Sequence, residues 1–355
     1  MSGRPAGQAV DTERRAALNG AKLAALVTSR WGPGRREQGA IGATATLIEP
    51  GRAGWVLADD EAERALGPAI VWADRHGVDA LHLVAAGPDA AGVLARQAAQ
   101  FCAPAPAVWA VEGTSLAAAE AAPVPAPPDA PAPPDLVDML IDAGLEIVAE
   151  GGIVRGEVNG LEVARIVHDH TTAGQPIDQP QLEVGVGKAD RELTAMVHSG
   201  LPPVDQLDRV VEIVRRHRRP GAPHHPLNQL VPDRWLRAVL CRAPGLAGLA
   251  SLRPAEGARP RPNLAGRDVA VATGRSPRGE RVVVACAVGI ALDLVPAAAD
   301  ARLAVDVAAG GDDLPSRLLL AVPERDDHPT TRRLAGRLRL PADVVPIAGD
   351  WRAAG

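Results

Sequence analysis

Three glutamates and one lysine in the middle of the chain could act as metal ligands or as a general acid and base. Glu157 and Glu162 flank Asn159-Gly160 in the stretch RGEVNGLEVARIV. Glu183 and Lys188 lie in the following stretch, QLEVGVGK. Asn-Gly between apolar-rich runs is a strong signal for a two-residue type I′ hairpin turn. The pattern therefore predicts that carboxylates face each other across a β-hairpin.

The register of this hairpin decides which side chains share a face. We expect Glu157 to pair with Glu162 and Arg155 to pair with Ala164, because side chains alternate between the two faces of a strand. A further strand over the LEVGVG residues would add Glu183 to the same polar face. Four residues form the opposite, apolar face: Val154, Val158, Leu161 and Val163. Directly opposed like charges destabilise a sheet, so the carboxylates need a partner.

Two interpretations of the polar face stay open. Three converging carboxylates suit one divalent cation such as Mg²⁺ or Mn²⁺, or a general acid and a general base. The alternative is a solvated face of an antiparallel sheet on which Arg155 offsets the pair of glutamates. Under that alternative the chain is a non-catalytic structural or interaction protein.

The order helix, three strands, helix, with acids on the central strands, resembles the core of PD-(D/E)XK nucleases. The resemblance implies a metal-dependent or degenerate phosphodiesterase-like protein that acts on or binds nucleic acid. It implies that Glu162 and Glu183 hold Mg²⁺ or Mn²⁺, that Glu157 assists, and that Lys188 is the catalytic lysine. The family has an acid-x-Lys on the third strand, whereas this strand reads Glu183-Val184-Gly185 and the lysine lies three residues beyond.

A second candidate feature is basic. The segment Gln206–Arg267 contains twelve arginines and four acidic residues. We predict a surface that follows phosphates and binds nucleic acid through the arginines near the end of the second helix, Arg215, Arg216, Arg218 and Arg219. The alternative is that these cations only favour the C-terminal end of their own helix.

The pattern of helices and strands along the chain predicts an α/β protein. The run AAPVPAPPDAPAPPD, Ala121–Asp135, cannot continue a helix or a strand ladder and predicts an exposed linker. The segments before and after the middle part share the element order ββαβαβ, and Leu81–Ala110 aligns with Leu318–Ile347 without a gap. This similarity suggests two related units that flank a helix–three-strand–helix unit. The predicted divisions are an N-terminal domain 1–120, a linker 121–135, a middle domain 136–252, a linker 253–267 and a C-terminal domain 268–355.

Composition limits the class of protein. Hydrophobic residues make up 46% of the chain and charged residues 23%, which is typical of a globular protein. Two lysines among 38 basic residues, one Phe and no Tyr indicate a GC-rich genome such as that of an actinobacterium. The net charge of -5 excludes a wholly basic nucleic-acid binder but allows a local basic face.

The cysteines and the apolar segments of the sequence indicate where in the cell the protein is located. Three widely spaced cysteines outside any metal-binding pattern predict buried, reduced thiols. The N-terminus lacks the apolar region of a signal peptide, and the longest apolar run, Val282–Leu292, is too short to span a bilayer. We therefore expect a cytoplasmic protein with no membrane partner. The histidines, including His168 to His170, follow no zinc-site spacing and are interpreted as incidental polar residues.

Overall fold

The described residues form a mixed α/β structure, which confirms the predicted class. The computed structural model describes residues 6–168, 170–172, 175–177, 180–197, 202–257, 259, 261, 263–266, 268–310 and 314–354. The chain divides into two compact units, each described by itself below. The first consists of Met1–Val124, Leu292–Asp300 and Pro329–Ala342. The second consists of Pro125–Ala291, Ala301–His328 and Asp343–Gly355.

The first unit contains a six-stranded sheet with the strand order β1-β2-β3-β4-β5-β6. Its elements are α1 (Ala6–Trp31), β1 (Glu37–Ile41), β2 (Thr44–Glu49), β3 (Ala53–Ala58), α2 (Leu66–His76), β4 (Ala80–Ala85), α3 (Pro88–Ala98), β5 (Ala107–Glu112) and β6 (Ser115–Ala118). Strands β3, β4 and β5 run parallel, and the remaining neighbours are antiparallel. Connections through helices explain the parallel pairs.

Helices cover both faces of this sheet, as the alternation of side chains along β3 shows. Trp55 packs in a buried cluster with Leu23 and Val27 of α1. The preceding residue, Gly54, faces the opposite way, and a Cβ there would lie 2.7 Å from the ring of Trp72 in α2. Glycine at this position therefore allows α2 to approach the sheet closely.

The second unit contains a four-stranded middle sheet and a five-stranded C-terminal sheet. The middle part consists of α4 (Pro134–Asp142), β7 (Glu146–Glu150), β8 (Ile153–Val158), β9 (Leu161–Val167), β10 (His170–Thr172), β11 (Gln175–Ile177), β12 (Gln181–Val184), α5 (Gly187–Val197), α6 (Pro203–His217) and α7 (Pro232–Arg242). The elements that follow in the chain are β13 (Ser251–Pro254), β14 (Ala270–Arg275), β15 (Arg281–Cys286), α8 (Leu294–Ala308), β16 (Arg317–Pro323), α9 (Pro329–Gly336) and β17 (Ala342–Ile347). Of these, α9 and the first half of α8 belong to the first unit.

The middle sheet has the order β12-β9-β8-β7, and all its pairs are antiparallel. Its apolar face packs with Leu140 of α4 and with Leu207, Val211 and Val214 of α6. The C-terminal sheet has the order β13-β14-β15-β16-β17, and α7 packs against β13, β14 and β15. Helix α7 is therefore in contact with the C-terminal sheet inside the second unit.

The middle sheet has one strand more than the sequence predicts. We expect a single helix over Leu136–Glu150, whereas α4 ends at Asp142 and residues Glu146–Glu150 form β7. The physical reason is Gly144, which adopts a left-handed φ of 69° that ends a helix. A second difference is that the predicted strand over LEVGVG ends at Val184, and α5, for which the sequence predicts no element, begins at Gly187.

The outer segments contain the predicted element order, together with four elements that the sequence does not predict: α1, β1, β6 and β13. Strands β2 to β5 with α2 and α3 follow the order ββαβαβ, and β14 to β17 with α8 and α9 follow the same order. A duplication in the evolution of the chain stays a prediction, as do the predicted domain limits. Among the described residues, no helix is long and apolar enough to cross a lipid bilayer. All three cysteines are free thiols, of which Cys286 is buried and Cys102 is exposed.

The proline-rich run Ala121–Asp135 joins the two units. In its first part, Arg96 of α3 donates hydrogen bonds to the carbonyls of Ala122 and Pro123. In its last part, Ala130 and Ala132 pack against the core of the middle sheet. Between these anchors, residues 126–129 are exposed.

We predict that endoproteinase Glu-C, which cuts after Glu and more slowly after Asp, cleaves first at the exposed Glu120 and Asp129. The two fragments should stay together in native size-exclusion chromatography, because Leu292–Asp300 and Pro329–Ala342 pack with Met1–Val124 in one unit. The variant with Glu120→Gln and Asp129→Asn should resist this cut. Early cleavage inside the strands, or fragments that separate under native conditions, would show that the division is wrong.

Candidate functional site

The hairpin of β8 and β9 places the predicted carboxylates opposite each other. Asn159 and Gly160 have φ values of 49° and 74°, as a type I′ turn requires. Glu157 is paired with Glu162 in the register of the two strands. Beyond this pair the register shifts by one residue at a β-bulge, so Arg155 is paired with Arg165 rather than with Ala164.

The polar face of this sheet is covered rather than solvated. Only 1% of the surface of Glu157 and 7% of that of Glu162 is exposed. The first turn of α7 lies against the hairpin turn, since a Cβ on Gly160 would be 2.3 Å from the backbone carbonyl carbon of Arg234. Only glycine can occupy this position, both for its positive φ and for the space that it leaves to the helix.

Two glutamates and two arginines form a closed, buried ring between the sheet and α7. Glu157 of β8 accepts hydrogen bonds from Arg234 Nη1 at 3.1 Å and from Arg237 Nη2 at 3.2 Å. Glu150 of β7 accepts from the same two arginines, one to each carboxylate oxygen. Each guanidinium therefore bridges both carboxylates. We call these four residues the ion-pair ring.

A second set of ion pairs neutralises the other two predicted site acids. Glu162 accepts hydrogen bonds from Arg155 Nε at 2.7 Å and from Arg191 Nη1 at 2.9 Å. Glu183 accepts from Arg165 Nε at 2.8 Å, and its carboxylate lies 3.4 Å from Arg191 Nε. Arg191 of α5 thus bridges Glu162 and Glu183, so the structure brings these two acids together through a cation of the chain itself.

Polar contacts also hold the hairpin turn. Arg242 of α7 pairs with Glu146 and donates a hydrogen bond of 2.8 Å to the side-chain oxygen of Asn159. The side-chain amide of Asn159 donates in turn to the carbonyl of Arg218 at 2.7 Å. These contacts connect the turn to the last turn of α7 and to the residue that follows α6.

Burial and ion pairing act in opposite directions on the pKa values in the ring. Burial alone would raise the pKa of Glu150, but the charges of Arg237 and Arg234 outweigh it and hold this pKa below its ordinary value. Burial alone would lower the pKa of Arg237 and of Arg234, but Glu150 and Glu157 raise both. Opposite charges at hydrogen-bonding distance therefore outweigh desolvation for these three groups.

The arginine partners determine which carboxylate oxygens are open to a divalent cation. Both oxygens of Glu157 and both oxygens of Glu162 accept hydrogen bonds from guanidinium groups. Those groups occupy the positions on Glu157 and Glu162 that a metal ion would need. The second predicted metal ligand, Glu183, is paired through its Oε2 with Arg165 and Arg191. In the part of the chain that the structure describes, no group of three or more His, Cys, Asp or Glu side chains could hold a metal ion.

Lys188 lies outside the cluster of acids. Its side chain is 86% exposed in the first turn of α5 and pairs with Glu192 at 3.8 Å. The cation that contacts Glu162 and Glu183 is Arg191, one turn further along the same helix. Arg191, and not Lys188, is therefore the cation of α5 that lies beside these two acids.

The four predicted nucleic-acid-binding arginines differ in exposure. Arg215, Arg216 and Arg219 are exposed, whereas Arg218 is fully buried. Arg218 donates hydrogen bonds to the carbonyls of four residues, Asn159, Leu227, Leu230 and Val231. Its guanidinium lies 4.6 Å from the ring centroid of Trp235, and burial lowers its pKa to about 9. Arg218 therefore faces the interior and does not belong to a surface that binds phosphates.

The histidines of the middle part make separate contacts. His168 Nε2 lies 2.6 Å from the carbonyl oxygen of Pro131. His217 and His225 stack with their ring centroids 3.8 Å apart. Four groups from the histidine-containing and arginine-rich segments lie outside the described part of the chain: Asp169, the side chain of His170, His198 and Arg267.

The sequence prediction missed the cations that complete this cluster. Arg234 and Arg237 are three residues apart, which places them on one face of α7, and Arg191 lies on the unpredicted α5. The spacing of the two arginines is a signal that two acids could be expected opposite them. Glu150 was missed because its strand continues an apolar pattern that also suits a helix.

Comparisons with known proteins add no constraint to this geometry. No protein-family model, no curated protein and no solved structure matches the chain. The site is therefore interpreted from its own residues alone.

We predict that Glu157→Gln lowers the free energy of unfolding by about 3 kcal/mol, because removal of one partner leaves buried arginine charge uncompensated. Chemical denaturation monitored by circular dichroism measures the change. The matched control is Glu183→Gln, the same substitution at a carboxylate whose side chain is 35% exposed and whose hydrogen-bond donor, Arg165, is 27% exposed. It should lower the stability by less than about 1 kcal/mol.

This expectation is the reverse of the one that opposed carboxylates alone would give, in which removal of one acid relieves repulsion. A Glu157→Gln variant that is as stable as the parent, or more stable, would show that the arginines do not hold the pair together. A destabilisation of equal size in Glu183→Gln would show that burial in the ring has no special role.

Proposed function

We propose that the chain is a cytoplasmic, non-catalytic interaction protein whose middle sheet and α7 form a rigid scaffold. One observation carries the proposal: Glu157, Glu162 and Glu183, the acids that could perform chemistry, are each paired with arginines of the same chain. A carboxylate fixed by two guanidinium groups is a poor general base and a poor metal ligand. Buried networks of this kind serve better to position elements than to turn over a substrate.

The burial of the ring supports the same proposal. Catalytic carboxylates must reach a substrate, whereas Glu157 is 1% exposed and lies beneath α7. The most exposed member of the set is Glu183, which belongs to the sheet edge formed by β12. A metal-dependent phosphodiesterase, which the nuclease resemblance implies, is the alternative that needs to be tested directly.

Thermal unfolding with and without Mg²⁺ or Mn²⁺ separates these functions. A ligand that binds only the native state raises the Tm by mass action. We expect the same Tm in the presence and absence of either metal, and no hydrolysis of single- or double-stranded nucleic acid. A Tm that rises with metal in the parent but not in Glu183→Gln would contradict the proposal and favour the phosphodiesterase.

A second candidate function is nucleic-acid binding through the end of α6. It is supported by the exposure of three arginines close together in the chain. Arg215 and Arg216 lie in the last turn of α6, and Arg219 follows the helix. Arg216 pairs with Glu212 at 2.8 Å, but the two side chains are 64% and 72% exposed, so phosphate can compete for the arginine. Arg218 is excluded from this surface by its burial.

We predict weak binding to double-stranded DNA that falls with salt concentration, since each phosphate that is neutralised releases counterions. Changing the three exposed arginines to Gln should reduce the slope of log K against log salt concentration. The reduction should be about 0.9 for each phosphate that is no longer neutralised. Fluorescence anisotropy of a labelled duplex measures both. The control changes three exposed arginines elsewhere, Arg52, Arg75 and Arg278. An equal change in slope for both triple variants, or no binding at low salt, would contradict this function.

A further inference from the structure

A separate cluster of aromatic side chains lies in the first unit. Trp31, Trp55, His82 and Trp109 form the tryptophan cluster, in which Trp31 contacts the other three with ring centroids 5.1 to 5.5 Å apart. The chain has only six Trp, one Phe and no Tyr. Half of its tryptophans therefore meet at one place.

Three neighbouring strands and one helix end position this cluster. Trp55, His82 and Trp109 belong to β3, β4 and β5, which are adjacent in the sheet, and Trp31 is the last residue of α1. Trp55 is paired with His82 in the strand register, and their rings stack at 5.5 Å with an interplanar angle of 16°. Trp55 is buried, whereas the other three rings are half-buried and form the exposed side of the cluster.

Hydrogen bonds fix the polar atoms of the cluster. The indole N–H of Trp109 donates to His82 Nδ1 at 3.2 Å. His82 therefore carries its proton on Nε2 and presents a second donor. The buried indole N–H of Trp55 has no hydrogen-bond partner among the described residues. The exposed side of the cluster thus combines aromatic rings with the Nε2–H donor of His82.

Two arginines give the cluster a positive charge. The guanidinium of Arg30 lies 5.2 Å from the ring centroid of Trp109 and 5.9 Å from that of Trp31. The guanidinium of Arg36 lies 5.0 Å from the ring centroid of Trp55. Arg30 is exposed, and Arg36 is half-buried and 3.9 Å from Glu49. Since the side chain of Arg30 is exposed to solvent and can move, the faces of Trp31 and Trp109 can be uncovered.

We propose that the tryptophan cluster binds a planar aromatic ring that carries a negative charge, as a nucleotide does. The base stacks on the half-buried indole of Trp31 and contacts Trp109, whose ring makes an interplanar angle of 80° with that of Trp31. The phosphate pairs with Arg30. Aromatic stacking together with a cation is the general way in which proteins bind unpaired nucleotides. This cluster belongs to the first unit, whereas the scaffold and the arginines at the end of α6 belong to the second.

The charge of the cluster argues against the other ligand that indole rings commonly bind. A ring of tryptophans can hold a quaternary ammonium group through cation–π contacts. Here Arg30 and Arg36 already occupy the cation–π positions, and their charge repels a second cation. An anion is attracted by the exposed guanidinium of Arg30, and the Nε2–H donor of His82 also favours an electron-rich partner.

Quenching of tryptophan fluorescence tests this proposal with adenosine 5′-monophosphate as the probe. We expect saturable quenching by the nucleotide. Inorganic phosphate supplies the charge without a ring, and adenosine supplies the ring without a charge. Each should bind at least about fivefold more weakly than the nucleotide, because each lacks one of the two interactions. A deoxyadenosine decanucleotide distinguishes a site for free nucleotides from a site for single-stranded nucleic acid. If the decanucleotide binds more tightly than the mononucleotide, the site is assigned to single-stranded nucleic acid.

Variants locate the binding. Arg30→Gln should weaken nucleotide binding about tenfold and leave adenosine binding unchanged, since only the charged group is removed. Trp31→Leu should weaken both. Arg52→Gln is the matched control, because Arg52 belongs to the same unit and its side chain is 78% exposed. The variant in which Arg215, Arg216 and Arg219 are changed to Gln should bind the nucleotide as the parent does, which separates this site from the second candidate function.

The proposal would be overturned by a nucleotide that does not quench saturably, or by equal binding in the parent and in Arg30→Gln. Adenosine or phosphate that binds as tightly as the nucleotide would also overturn it. Because Arg30 is exposed, Arg30→Gln should fold normally, and circular dichroism checks this. If the Trp31→Leu variant fails to fold, the comparison of the parent with Arg30→Gln still tests the proposal.

Discussion

Two buried carboxylates and two buried guanidinium groups hold α7 against the middle sheet. Glu150 and Glu157 project from neighbouring strands, and Arg234 and Arg237 each bridge both of them. Removal of any one member leaves buried charge without a full partner, so the four residues act together. Because α7 also packs on β13, β14 and β15, the ring connects the middle sheet to the C-terminal sheet within the second unit.

The ring also constrains the register of the hairpin. Side chains alternate with a period of two, so a slip by one residue would turn Glu157 toward the apolar core of Leu140, Leu161 and Val163. The arginines of α7 reach Glu157 only in the observed register. Gly160 adds a second constraint, because any larger residue would meet the backbone of Arg234. Opposed glutamates are therefore tolerated because each belongs to a different set of arginines, Glu157 to α7 and Glu162 to Arg155 and α5.

The sequence predicted the features of the hairpin that depend on residues close together in the chain. The Asn159-Gly160 turn, the pairing of Glu157 with Glu162 and the apolar face follow from turn chemistry and strand alternation, and the structure shows all three. The partners of the acids did not follow, because 77 residues separate Arg234 from Glu157 and only the fold brings them together. Arg218 has the sequence position of a surface cation, yet it is buried by the carbonyls of the loop before α7. The tryptophan cluster was missed for the same reason, since its four residues come from distant positions that the sheet order makes neighbours.

A double-mutant cycle between Glu157 and Arg237 tests most directly whether the opposed glutamates are structural partners of arginines. The free energy of unfolding is measured for the parent, Glu157→Gln, Arg237→Met and the double variant. We predict a coupling free energy of at least about 1 kcal/mol, so that the double variant is destabilised clearly less than the two single variants together. Destabilisations that add without coupling would contradict this structural role, because Glu157 and Arg237 would then stabilise the fold independently of each other.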